Sequence, residues 1–175
     1  MTMTGVVSLP DGVPRVNGAP ERATGTFRGP LHKMVSTTPT ELWNDSCSAA
    51  DLRSAIEDGA VGATSNPTIV LGVVQQELEE WRGPIEDLFA KHPTDTEAQI
   101  TWHLIEEMTI RAAALLRPIF ERTGGARGFI SLQTNPEYYK STQALVTQAL
   151  HFAKLAPNIQ VKVPATAISR CRRSR

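Results

Sequence analysis

From Glu41 onward the chain alternates between two spacings of hydrophobic residues, and that alternation predicts its elements. The short apolar runs are Leu42-Trp43-Asn44-Asp45, Val61-Gly62-Ala63-Thr64-Ser65, Gly128-Phe129-Ile130-Ser131-Leu132 and Ile159-Gln160-Val161-Lys162-Val163. Each is bounded by polar residues, Gly or Pro and reads as a buried strand. Between them, apolar positions recur at helical steps. Leu52, Ala55 and Ile56 form a stripe that Ser48 and Asp51 open as a capping box and Gly59 ends. Asn66-Pro67 opens a helix through Ile69, Val70, Val73 and Leu78 that breaks at Gly83-Pro84. Thr94 and Glu97 form another capping signature, ahead of a long amphipathic helix carrying Ile100, Leu104, Met108, Leu115 and Ile119. Gly124-Gly125 stops it. Asn135-Pro136 starts a last helix to about Ala156, closed by Pro157.

Strands alternating with helices indicate parallel βα units, an α/β fold. Polar residues gather where the strands run out, at Asp45, Asn66, Gln133 and Lys162. In parallel α/β architectures those ends carry the chemistry. Residues 1–37 are different: rich in Gly, Pro, Thr and Arg and without sustained periodicity, they read as a flexible leader before an organised stretch, residues 38–167.

Composition narrows the class. Eighteen basic residues balance eighteen acidic ones among 175, so no overall field draws the chain to nucleic acid or anionic lipid. Its apolar runs fall short of the roughly 18 residues of a membrane helix. The two cysteines, Cys47 and Cys171, match no metal or redox spacing, and a reducing cytoplasmic setting is the simplest reading.

Lys162 is the most informative residue. Val161 and Val163 point to one strand face and Lys162 to the other. On an inward face its amine would be desolvated, which disfavours the ammonium and frees a nucleophile for imine formation with a ketone. An edge-strand lysine in water is the alternative. Asp45 is a candidate general acid/base on a sugar hydroxyl, or a helix cap. Asn66 is a candidate ligand for a substrate hydroxyl and, compatibly, an N-cap. Ser131 and Gln133 share a strand face suited to positioning a water or carbonyl, or simply fill a strand end.

Four segments occur in order: Trp43-Asn44-Asp45-Ser46, Gly62-Ala63-Thr64-Ser65-Asn66-Pro67, Gly128-Phe129-Ile130-Ser131-Leu132-Gln133 and Val161-Lys162-Val163-Pro164-Ala165-Thr166. Together they resemble the transaldolase family. The resemblance implies a (β/α)₈ TIM-type barrel, of which about the first four βα units are present. The activity it implies is transfer of a dihydroxyacetone unit between sugar phosphates, in the pentose phosphate pathway. It further implies Lys162 as Schiff-base lysine, Asp45 as acid/base, Asn66 as substrate ligand, and neither metal nor organic cofactor. The family's glutamate, which works through a water, falls at Gln133, and an amide cannot exchange a proton. The related fructose-6-phosphate aldolases are similar in carrying glutamine there, so aldol cleavage is the alternative activity.

After Thr166 the family continues with a glycine-containing turn and four further βα units. Here residues 168–175 read Ile-Ser-Arg-Cys-Arg-Arg-Ser-Arg. We expect this Arg-rich tail to be aberrant sequence, and the 175-residue chain alone to be inactive and poorly soluble. The rival reading is a non-catalytic interaction fragment, with nucleic-acid binding by the tail a distant third. His103 and Glu107, one helical turn apart, are two ligands without a third and make a poor metal pair. Cys47 reads as a small buried residue.

Overall fold

A computed structural model describes residues 26–164. Residues 1–25, most of the expected leader, and the Arg-rich tail lie outside that range. The elements run α1 (Pro30–Thr37), β1 (Leu42–Asn44), α2 (Ala49–Glu57), β2 (Ala60–Ser65), α3 (Pro67–Gln76), α4 (Leu78–Lys91), α5 (Glu97–Arg122), β3 (Phe129–Gln133), a 3₁₀ turn (Pro136–Lys140), α6 (Thr142–Phe152) and β4 (Ile159–Lys162). The strands form one sheet in the order β1-β2-β3-β4, and every neighbouring pair is parallel. This is the α/β arrangement the alternating pattern predicts.

The core lies on one face of the sheet. Ala63, Ile130, Leu132 and Ile159 come from the strands and pack against Leu52, Val70, Val73, Trp81, Leu88, Phe152 and a continuous stripe of α5. Strand parity explains the selection. Ala63 pairs with Ile130 and Ile130 with Ile159, so one pleat direction carries all three toward the helices. The opposite direction carries Gly62, Thr64, Ser131, Gln133, Gln160 and Lys162. Trp43 lies against Gly62 on that second face, where a Cβ would come within 2.6 Å of the indole. Only glycine admits the ring. An extra residue in β2, between the partners of Leu42 and Trp43, sets the register there.

Helix α5 is held hard against the start of β3. Gly128 has φ +84°, and a Cβ there would lie 2.3 Å from the Phe120 backbone nitrogen. Buried Asn158 reinforces the junction: its side-chain amide N–H groups donate to the carbonyls of Ala113 (2.8 Å) and Gly128 (2.9 Å), and its backbone carbonyl accepts from Ile130 N–H. One side chain thus links α5, β3 and β4.

Four boundaries differ from the sequence expectation. Residues 30–37 are helical rather than part of a structureless leader. Pro30 starts the turn, Val35 packs against Gly59, and Arg28 just before it pairs with Glu57. The helix after Asn66 breaks at Glu77, not at Gly83-Pro84. Glu77 takes hydrogen bonds from Ser48 Oγ (2.6 Å) and Trp81 Nε1 (3.1 Å), tertiary ties that fix the break. The capping box of α5 is Thr96–Gln99, with both arms made, rather than Thr94–Glu97. A turn from His92 to Asp95 has already taken the earlier residues. The helix expected from Asn135 becomes a 3₁₀ turn, and α6 starts afresh where Ser141 accepts from Ala144 N–H.

Asn158→Ala removes both amide donors from a buried site and leaves the Gly128 carbonyl exposed to an apolar surrounding. We expect a loss of about 2–4 kcal/mol, read from the urea midpoint of tryptophan fluorescence. A midpoint equal to that of the parent chain would show that the junction does not depend on this side chain.

Candidate active site

Because all four strands are parallel, their C-terminal ends form one rim. Asp45 follows β1, Asn66 follows β2, Gln133 ends β3 and Lys162 ends β4. Gln133 and Lys162 are register partners, as are Thr64 with Ser131 and Ser131 with Gln160. Ser131, Gln133 and Lys162 therefore share the sheet face that the core leaves open.

Each predicted residue has a definite setting. Asp45 accepts a hydrogen bond from Thr64 Oγ1, which ties the β1 end to β2. Next to it, Asn44 Nδ2 donates to the Ser46 carbonyl (3.1 Å) and shapes the turn. Asn66 caps α3, its Oδ1 accepting from Thr68 N–H (2.9 Å) and Ile69 N–H (3.0 Å). The cap reading of Asn66 is thus realised, and its Oδ1 is engaged with the backbone. Ser131 and Gln133 are half-buried. The Lys162 carbonyl accepts from Thr134 N–H (3.0 Å), and Thr134 is fully buried, so the backbone at the lysine is well held. Its side chain, however, is exposed. The desolvation anticipated for an inward-facing lysine is not present in this open sheet. Val161 packs against the core while Val163, just past the strand, is exposed.

Two further polar residues of the open face escaped the sequence reading. Thr64 lies two residues before Asn66 with the parity of the open face, a signal that was available. Gln160, paired with Ser131, carries the same signal. The His103–Glu107 pair does not form: Glu107 accepts from Arg111 (2.5 Å), while His103 Nε2 lies 3.0 Å from Asp95 and its ring stacks on His92.

The described residues thus define a parallel α/β sheet with a polar rim at its strand ends and one uncovered polar face. Residues 42–170 match the family described as Transaldolase/Fructose-6-phosphate aldolase, and the chain belongs to that family. Among its relatives are the transaldolase of Thermobifida fusca, 34% identical over 143 residues, transaldolase 1 of Streptomyces avermitilis, 33% over 143, and the transaldolase of Thiobacillus denitrificans, 33% over 145. These alignments take in 77–78% of this chain and 37–39% of each relative. The chain therefore spans less than two-fifths of their length. No helix among the described residues is long and apolar enough to cross a membrane.

Behind the rim, Cys47 is buried as expected, 4% exposed. Burial pushes its thiol up to about 11, with Ser65 beside it partly offsetting the shift. The unfolded thiol loses its proton near its ordinary value of 9.0, before the folded one does. Cys47 thus favours the folded state fully below pH 9, and that contribution drains away as pH rises toward 11. Comparing the chain with Cys47→Ala by urea denaturation, we expect the parent to lose about 2 kcal/mol more than the variant between pH 8 and 10.5. Parallel losses in the two would contradict a protonated buried thiol.

Proposed function

We propose that this chain supplies the amine-bearing half of a transaldolase-type site acting on sugar phosphates. Support comes from the register pairing of Lys162 with Gln133 at the rim, on the open face and in a member of this family. In this reading the sheet curls into a barrel with four further βα units, and the uncovered face becomes an interior. Lys162 is then removed from water, which favours its neutral amine. The amine adds to the ketone carbon of a ketose phosphate, and loss of water gives an imine. Asp45, steadied by Thr64, takes the proton of the hydroxyl on the carbon that is released. The adjacent carbon–carbon bond breaks, and its electron pair enters the protonated imine to give an enamine. Addition of the enamine to an aldose phosphate and hydrolysis complete the transfer. Asn66 and Ser131 serve as substrate hydrogen-bonding groups. A reducing, cytoplasmic setting suits the free thiol of Cys47.

Gln133 favours a second reading. An amide donates and accepts hydrogen bonds but does not shuttle a proton, so it positions a water less effectively as a base than a carboxylate does. Aldol cleavage, without efficient onward transfer, is the activity that this residue favours.

The decisive experiment joins this chain to the remaining portion of a relative and treats the product with fructose 6-phosphate and borohydride. We expect one reduced adduct, mapped to the peptide bearing Lys162 and lost in Lys162→Ala. Trapping that persists in the variant would remove Lys162 from the mechanism. In the same protein, Gln133→Glu should raise transfer between ketose and aldose phosphates by about tenfold or more relative to cleavage. Unchanged partition would assign the proton to another group.

A further inference from the structure

Three side chains meet where α4 gives way to α5. Asp95 Oδ2 lies 3.7 Å from His92 Nδ1 and 3.0 Å from His103 Nε2, and the three ligand atoms fall within 4.8 Å of one another. The imidazoles stack with centroids 4.1 Å apart. Their placement is built by the backbone. Asp95 N–H bonds the His92 carbonyl across a turn containing Pro93, and the Thr96–Gln99 capping box fixes the first turn of α5. That sets the linker carboxylate over His103, one turn further along the helix.

We propose that His92, Asp95 and His103 bind a divalent first-row transition cation of the Zn²⁺ type. Two imidazoles and one carboxylate are borderline donors suited to such ions, and three protein ligands leave a position for solvent. A tetrahedral ion with bonds of about 2.1 Å separates neighbouring ligand atoms by roughly 3.4 Å, and the two distances to Asp95 straddle that value. The nearly parallel rings require one adjustment, because a cation lies in the plane of each imidazole it binds. His92 is the residue able to make it. It caps α4 at the start of the linker and is about a third exposed, whereas His103 is fixed on α5. Glu107, one turn beyond His103, is not a fourth ligand, being held by Arg111.

The test is a titration of the full 175-residue chain with Zn²⁺ by calorimetry and with Co²⁺ by visible absorption. We expect one site per chain and a Co²⁺ ligand-field spectrum with nitrogen and oxygen donors. His92→Ala, Asp95→Asn and His103→Ala should each weaken Zn²⁺ binding on the order of tenfold or more, and Glu107→Gln should leave it unchanged. Zn²⁺ should also raise the melting temperature of the parent chain but not that of His92→Ala, a linker variant that leaves both helices intact. Failure of the parent chain to bind Zn²⁺ would overturn the assignment. So would binding of parental strength in His92→Ala and Asp95→Asn.

Discussion

The close approach of α5 to the start of β3 constrains everything else in this structure. Gly128 is tolerated there and a side chain is not, because the helix backbone occupies the space a Cβ needs. Asn158 then converts proximity into a joint, donating to one carbonyl of the helix and one at the strand start while its backbone receives β3. The Ala113 carbonyl it reaches adjoins that of Ala114, which Pro118 leaves without its usual helical donor. With α5 locked to the sheet, its apolar stripe from Ile100 to Ile119 fixes which strand residues face inward. Parity does the rest. Once Ile130 is a core residue, Ser131 cannot be, and neither can its register partners Thr64 and Gln160.

The strands were legible because their apolar runs are short and punctuated, and each lies within one residue of its expected span. The Asn66 cap and the burial of Cys47 were equally readable, being local in origin. What escaped is set by contacts between distant residues. The break at Glu77 follows from a carboxylate shared by Ser48 and Trp81, 29 and four residues away. Thr94–Glu97 and Thr96–Gln99 satisfy the same capping pattern, and a one-dimensional reading has no means of ranking them. Asn158 lies beside Pro157, whose local signal is only the end of a helix. The helix at Pro30–Thr37 was hidden because eight residues give too little periodicity to rise above a Gly- and Pro-rich neighbourhood.

The site residues divide in the same way. Their positions at strand ends follow from the pattern, so Asp45, Asn66, Gln133 and Lys162 fall on one rim as the alternation implies. Their environments do not follow. Asn66 spends its acceptor on the backbone of α3, and Asp45 takes its partner from the neighbouring strand. Lys162 sits in a firmly hydrogen-bonded backbone with an exposed side chain, the edge-strand setting that the sequence allowed as the alternative, so placement and desolvation separate here. Placement is a property of the strand; desolvation is a property of what covers it.

That separation determines what the strands can contribute by themselves. Asp45 and Lys162 belong to the two edge strands, three inter-strand steps apart, or about 14 Å along a flat sheet. Side chains on a flat face stand nearly parallel and do not converge on a small molecule. In the proposed barrel, curvature of the sheet would turn them toward a common axis, as interior residues of a barrel are turned. On the reading proposed above, that one geometric change would accomplish two tasks, bringing Asp45 within reach of a substrate held by Lys162 and taking the Lys162 amine out of water. Neither position is set by one strand alone, because Asp45 is held by Thr64 from β2 and the Lys162 backbone by Thr134 beyond β3. On the proposed reading the polar residues of that face would line the interior: hydrophobic residues there would steady an open sheet, but would leave nothing to grip a sugar.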